Sequence, residues 1–168
     1  CIYNVNEVFI MKKSSNSFSK SIVFIIILFI LIQLVIPMVY IVDGSSMLPT
    51  YKEGQITLID YYHFNSQYTF QDVVVIQLKS THTKMIKRII GVAGDHVQII
   101  DNKLYINEIE IEEDYLYEPM QSNDMDFIIP ENKFFVLGDN RNESIDSRKL
   151  GLIDQEDILG KVIYVKEK

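Results

Sequence analysis

Apolar and polar positions divide the chain into two unlike parts. Across residues 21–42 no side chain is charged, and most are Ile, Leu, Val, Phe or Met. Those 22 residues predict a helix about 33 Å long at about 1.5 Å per residue, enough to cross a hydrocarbon core. Gln33 and Pro37 interrupt the run, and both residue types are tolerated in spanning helices. A cleavable leader would have a shorter apolar run with small residues at its exit; this one leaves through Met38-Val39-Tyr40-Ile41-Val42. A buried soluble helix of this length would show a polar face. The pattern predicts a single transmembrane anchor over residues 21–42, preceded by a short segment, 1–20.

After residue 42 the apolar residues fall into short runs separated by turn signals. Residues 55–60, 72–79, 85–90, 96–100, 103–106, 134–137 and 161–165 are rich in Val, Ile, Phe and Tyr and read as strands. Asp101-Asn102 is a tight-turn candidate joining two of them into a hairpin. Gly54, Gly94-Asp95 and Gly138-Asp139-Asn140 punctuate the rest. Only residues 154–159 suggest a helical turn, and 113–130 read as a loop. The expected fold is mainly β: an antiparallel, barrel-like β domain over residues 43–168, on a single N-terminal transmembrane helix.

Charge orients this arrangement. Lys12, Lys13 and Lys20 precede the apolar run against a single Glu7, and Asp43 follows it. The positive-inside tendency puts the N-terminus in the cytoplasm and the β domain on the extracytoplasmic side of a bacterial cell membrane. Met11-Lys12-Lys13 reads as a more natural start than Cys1. Cys1 is the only cysteine, so no internal disulfide is expected. The net charge of −7 argues against a nucleic-acid partner. Acidic residues at 108–118 alternate with Ile and read as a solvated strand face. No metal-ligand spacing is present, and no metal or cofactor is expected.

Three clusters have the residue types that chemistry needs. The first is Gly44-Ser45-Ser46-Met47-Leu48-Pro49-Thr50, where a serine in a Gly-containing turn can expose both a hydroxyl and backbone N–H groups. The second is Lys84-Met85-Ile86-Lys87-Arg88-Ile89-Ile90-Gly91. Neighbouring strand residues point to opposite faces, so one of Lys87 and Arg88 faces inward. A desolvated lysine favours its neutral amine, which is a competent general base. The third is Gly138-Asp139-Asn140-Arg141-Asn142-Glu143-Ser144-Ile145-Asp146-Ser147-Arg148, where Asp139, Asp146, Arg141 and Arg148 have the charges for an ion-pair network. Taken singly, a linker, a strand edge with solvated lysines and a polar surface turn account for these clusters equally well. His63, His82 and His96 are scattered, and none adjoins a nucleophile.

In this order, behind an apolar run, the three clusters resemble the motifs of type I signal peptidases, and the short chain resembles their Gram-positive branch. The resemblance covers nearly the whole chain from Lys12. It implies a serine endopeptidase that cleaves signal peptides from secreted precursors after small residues of Ala-x-Ala type. Ser46 is then the nucleophile and Lys87 the general base. Ser144 positions the amine; Asp139, Asp146 and Arg148 support the site. The groove is edged by Val42, Met47 and the strand Lys84, Met85, Ile86. Some members carry serine two places before the nucleophile where this chain has Gly44, so the oxyanion falls to the backbone N–H groups of Ser45 and Ser46. Expected partners are precursor signal peptides, the lipid bilayer and the protein-export machinery. Two other readings remain open: a self-cleaving Ser/Lys regulator, which would be soluble and carry a DNA-binding domain, and a membrane-tethered binding module without enzymatic activity.

Overall fold

The structure is a computed structural model that describes residues 19–33, 38–61, 67–79 and 81–165. It divides into two compact units, residues 1–37 and 38–168. In the first, residues 19–33 form helix α1, whose apolar side chains are exposed, Phe24 at 67% and Ile25 at 62% among them. Among the described residues no helix is long and apolar enough to cross a membrane. The remainder of the expected cytoplasmic segment, and residues 34–37 of the expected span, lie outside the described residues.

The last residues assigned to that span are not helical. Val39–Ile41 form strand β1, paired antiparallel with β2, Ile56–Asp60. A short β-branched run reads equally well as a helix end or a strand, and pairing with β2 decides it here.

The second unit is mainly β. Its remaining strands are β3 (Val73–Gln77), β4 (Lys84–Gly91), β5 (His96–Ile100), β6 (Lys103–Ile106), β7 (Ile109–Glu110), β8 (Met125–Ile128), β9 (Lys133–Leu137), β10 (Ile153–Asp154) and β11 (Ile158–Val165). Seven strands form one sheet in the order β1-β2-β11-β3-β4-β9-β10, and four form a second in the order β7-β6-β5-β8. Every pairing is antiparallel. Register shifts in β11 and near the end of β4 bend the larger sheet into a curled half-barrel.

Burial on both faces explains why the central strands are continuous apolar runs. Val74 and Ile76 of β3 pack with Ile89, Phe134 and Val136, while Val73 and Val75 pack with Val42, Met47, Ile59 and Ile86. Strand β9 divides likewise, with Phe135 and Leu137 joining Ile90, Val97, Ile99 and Leu104. The outer hairpin β5–β6 alternates instead. Its turn residues Asp101 and Asn102 have φ of 50° and 66°, the left-handed pair a two-residue hairpin requires.

The expected strands are all present. The expected loop at 113–130 contains β8, whose burial alternates along Met125–Ile128 and which pairs with β5. The helical turn expected at 154–159 shrinks to a 3-10 turn, Gln155–Asp157.

Candidate active site

Ser46 sits half-buried in a turn immediately after β1. Gly44 opens the turn at φ 80°, a conformation most side chains avoid. The Leu48 N–H donates to the Ser45 carbonyl at 3.1 Å, and the Tyr51 N–H donates to that of Met47 at 2.8 Å. Met47 itself is buried in the core. The Asn140 N–H donates to the Ser46 carbonyl at 3.0 Å, and its amide Nδ2 donates to the Ser45 carbonyl at 3.2 Å. Among the described residues, no hydrogen bond engages the N–H of Ser45 or Ser46, which leaves both able to donate to an arriving oxygen.

Lys87 reaches this turn from β4. Its Nζ lies 2.7 Å from Ser46 Oγ and donates to the Ile86 carbonyl at 2.9 Å, with the residue 2% exposed. Burial pushes the ammonium down to about 8, against the carboxylates of Asp146 and Asp139, which favour the charged form. Near neutral pH the amine is therefore within reach of its uncharged state, able to accept the Ser46 proton.

Arg88, the next residue along β4, goes to a different partner. Its Nε and Nη2 donate to the two oxygens of Asp139 at 2.8 and 2.6 Å, and Nη1 donates to the Gln71 carbonyl at 3.1 Å. Thr50 Oγ1, from the Ser46 turn, donates to the same carboxylate at 2.5 Å. Asp139 thus ties together the serine turn and the lysine strand.

Asp146 accepts from Arg148 Nε at 2.9 Å and Nη2 at 2.8 Å and from the Gly138 N–H at 3.1 Å. Burial works against its ionisation. The Arg148 guanidinium and the Gly138 N–H outweigh that cost and hold the carboxyl below its ordinary range. Asp146 also caps the short helix α2, Ser147–Leu150.

The expected network of Asp139, Asp146, Arg141 and Arg148 separates into distinct ion pairs. Arg141 pairs with neither aspartate but with Glu113, and Arg88 takes Asp139. Glu113 lies in the acidic stretch expected to be solvated, yet its side chain is only 6% exposed; the buried guanidinium of Arg141 draws it inward. Glu110 and Glu108 do lie at the surface, paired with Lys103 and His96.

Ser144 is buried and packs against Gly138. Among the described residues the Lys87 amine bonds Ser46 and Ile86, not Ser144. The Ser144 hydroxyl has no well-directed hydrogen bond, though it is close enough to Asp146 to help keep that carboxyl ionised.

Of the expected groove residues, Val42, Met47 and Ile86 are buried together in one cluster. Met85 packs against a different cluster, and Lys84 is exposed. Pairing with β3 covers β4 from Lys84 to Arg88, whereas β9 pairs with β4 only from Arg88 onward. The edge of β4 over Lys84 to Lys87 that faces away from β3 has no strand neighbour among the described residues.

Gly138 is required by close approach. A Cβ there would stand 2.5 Å from the Ser46 carbonyl oxygen and 2.7 Å from Ser144 Cβ. Gly138→Ala is expected to destabilise the domain by about 1–3 kcal/mol through overpacking. It is also expected to slow turnover, because the relief moves Ser46 away from Lys87. Denaturant unfolding and kcat measured on one preparation test both effects.

A serine hydroxyl against a buried amine is equipped for acyl transfer, and the comparisons place the chain among peptidases. It belongs to the signal peptidase family, peptidase S26, whose family model matches residues 15–166. Its relatives are of type I. The chain is 35% identical over 151 residues to signal peptidase I U of Bacillus subtilis, covering 83% of this chain and 81% of that protein. It is 31% identical over 172 residues to signal peptidase IB of Staphylococcus aureus, covering 92% and 90%. The crystal structure of a signal peptidase I from Enterococcus faecalis superposes with a TM-score of 0.53 at 29% identity, over 58% of this chain and 98% of that one.

Four site residues escaped sequence reasoning. Asn140 and Thr50 lie inside motifs already singled out, so their nearness was available but their bonds were not. Tyr115 and Glu113 lie in the stretch read as loop, where no periodicity or spacing marks them.

Proposed function

We propose that the chain is a membrane-anchored serine endopeptidase that removes N-terminal signal peptides from secreted precursors after small residues, with Ser46 as nucleophile and Lys87 as general base. The observation that carries this reading is the 2.7 Å contact between Lys87 Nζ and Ser46 Oγ at a lysine shielded from solvent.

Ser46 Oγ attacks the scissile carbonyl carbon as its proton passes to the neutral Lys87 amine. The negative charge that collects on the carbonyl oxygen is met by the N–H groups of Ser45 and Ser46. The C–N bond breaks, and the Lys87 ammonium returns the proton to the departing amine of the mature protein. Lys87 then takes a proton from water as hydroxide equivalent adds to the Ser46 ester. As that second tetrahedral adduct collapses, the bond to Ser46 Oγ breaks, the Lys87 ammonium returns its proton to Oγ, and the signal peptide leaves as a carboxylic acid that gives its proton to solvent. No cofactor enters.

The signal peptide lies extended along the unpaired edge of β4, Lys84 to Ile86. Main-chain bonds supply affinity there, and pockets beside Val42 and Met47 admit only small side chains. The apolar stretch that opens at Ser21 and ends before β1 is the anchor. Residues 21–38 number 18, at the short end of the spanning range of about 17–25. The lysines before it put the β domain on the extracytoplasmic face of the bacterial membrane, where precursors emerge from the export machinery.

The test uses the full chain in detergent with a secretory precursor, the new N-terminus being read by mass spectrometry. Cleavage after a small residue, abolished by Ser46→Ala, is expected; undiminished cleavage by Ser46→Ala contradicts the mechanism. For the anchor, the chain is expected to stay with membranes through an alkaline carbonate wash, and its release into the supernatant contradicts that part.

A further inference from the structure

The segment between β7 and β8 touches the site from behind. Tyr115 lays its ring over the Arg88 guanidinium, 4.1 Å from the carbon to the ring centre. Its hydroxyl donates to Glu113 Oε1 at 2.6 Å. Glu113 accepts from Arg141 Nη1 at 2.7 Å and Nη2 at 2.5 Å, and Arg141 Nε donates to the Gly138 carbonyl at 3.1 Å. Gly138 is bonded covalently to Asp139, and Asp139 holds Arg88. The contacts therefore close a ring: Asp139, Arg88, Tyr115, Glu113, Arg141, Gly138 and back. The Tyr117 N–H adds a bond to the Asp139 carbonyl at 3.3 Å.

Both halves of the proposed dyad hang on this ring. Lys87 is the neighbour of Arg88 on β4, and Asn140, the neighbour of Asp139, holds the Ser46 carbonyl. We propose that Tyr115 and Glu113 are positioning residues for catalysis, a brace that fixes β4 against the 138–141 loop and so holds the Lys87 amine against Ser46. The proposal rests on the Ser46–Lys87 reading.

Stability alone does not account for such a ring. Buried ion pairs contribute little net stability compared with apolar side chains of the same volume. They do hold geometry, and a misplacement of about 1 Å can cost about 100-fold in rate. Burial and the Glu113 carboxylate push the Tyr115 phenol upward, so it remains a neutral donor throughout the working range.

The test measures kcat, KM and the pH–rate profile of the full chain on a precursor peptide, below each variant's unfolding temperature. Tyr115→Leu is expected to lower kcat about 10–100-fold with KM changed less than about threefold. A β4 released from the 138–141 loop lets water reach Lys87 and relieves the desolvation that depresses it, so the ascending limb moves up toward the ordinary lysine value. Tyr115→Phe keeps the ring on Arg88 but loses the bond to Glu113, and is expected to fall between wild type and Tyr115→Leu in both kcat and the position of the limb. Should Tyr115→Leu fail to fold, Glu113→Gln is expected to show the same fall in kcat and the same upward shift. A folded Tyr115→Leu or Glu113→Gln with unchanged kcat and limb, whatever its melting temperature, overturns the brace. Ser46→Ala and Lys87→Met in the same assay separate the two claims: activity that survives them refutes the dyad, while activity lost in them but indifferent to Tyr115 and Glu113 refutes the brace alone.

Discussion

Lys87→Met is expected to abolish precursor cleavage and at the same time to stabilise the β domain at neutral pH. The two effects share one cause. The amine is depressed from 10.5 in the unfolded chain to about 8 by burial. Holding it protonated at pH 7 therefore works against folding by a few kcal/mol, at about 1.4 kcal/mol per pKa unit. The sign follows from proton counts. Between about 8 and 10.5 the unfolded chain binds the proton more tightly, so this site's contribution to stability rises as pH climbs through that window. Methionine fills similar space without the charge. Denaturant unfolding at pH 7 is expected to show Lys87→Met more stable by about 2–3 kcal/mol, with the difference from wild type shrinking toward pH 10.5. Loss of the proposed base is expected to reduce kcat by at least about 100- to 10,000-fold. A variant that is destabilised at pH 7, or that still cleaves, contradicts a desolvated base at this position.

Asp139→Ala is expected to give the largest loss of stability of any single site substitution. The carboxylate is fully buried and takes both arms of Arg88 as well as the Thr50 hydroxyl. Removing it strands a guanidinium that is only 10% exposed at its side chain. Breaking a buried pair in this way typically costs about 3–5 kcal/mol. The loss comes from the unpaired partner, so the double variant Asp139→Ala/Arg88→Met is expected to recover a substantial part of it. The Thr50 contact means that catalysis falls too, because the serine turn loses its tie to β4. Unfolding free energies of the two singles and the double form the measurement. A double variant no more stable than Asp139→Ala would show that the pair is not the source of the effect.

Much of this was readable from local pattern. Strands β3 and β9 announced themselves as apolar runs, and Asp101-Asn102 announced its hairpin, because those signals depend only on neighbours in sequence. Strand β1 was hidden because its Val-Tyr-Ile continues the preceding apolar run without a break. Strand β8 was hidden by Asp124 and Asp126 within a polar stretch. At the site, the motifs singled out Ser46 and Lys87, which the fold brings within 2.7 Å, but not the choice of partners. Arg88, rather than Arg141 or Arg148, reaches Asp139, a pairing across 51 residues that strand register alone decides. Glu113 looked solvated because its acidic neighbours are, and only the packing of β9 and the 138–141 loop places Arg141 where it must find a carboxylate.

The central claim is that the uncharged Lys87 amine activates the Ser46 hydroxyl. The most direct measurement is the rate at which a serine-reactive acylating inhibitor labels the protein as a function of pH, with the adduct located by mass spectrometry. A single adduct on Ser46 is predicted, its rate rising with a midpoint near 8 and lost in Lys87→Met. An adduct on another residue, a rise only near the ordinary lysine value, or labelling indifferent to Lys87→Met would contradict it.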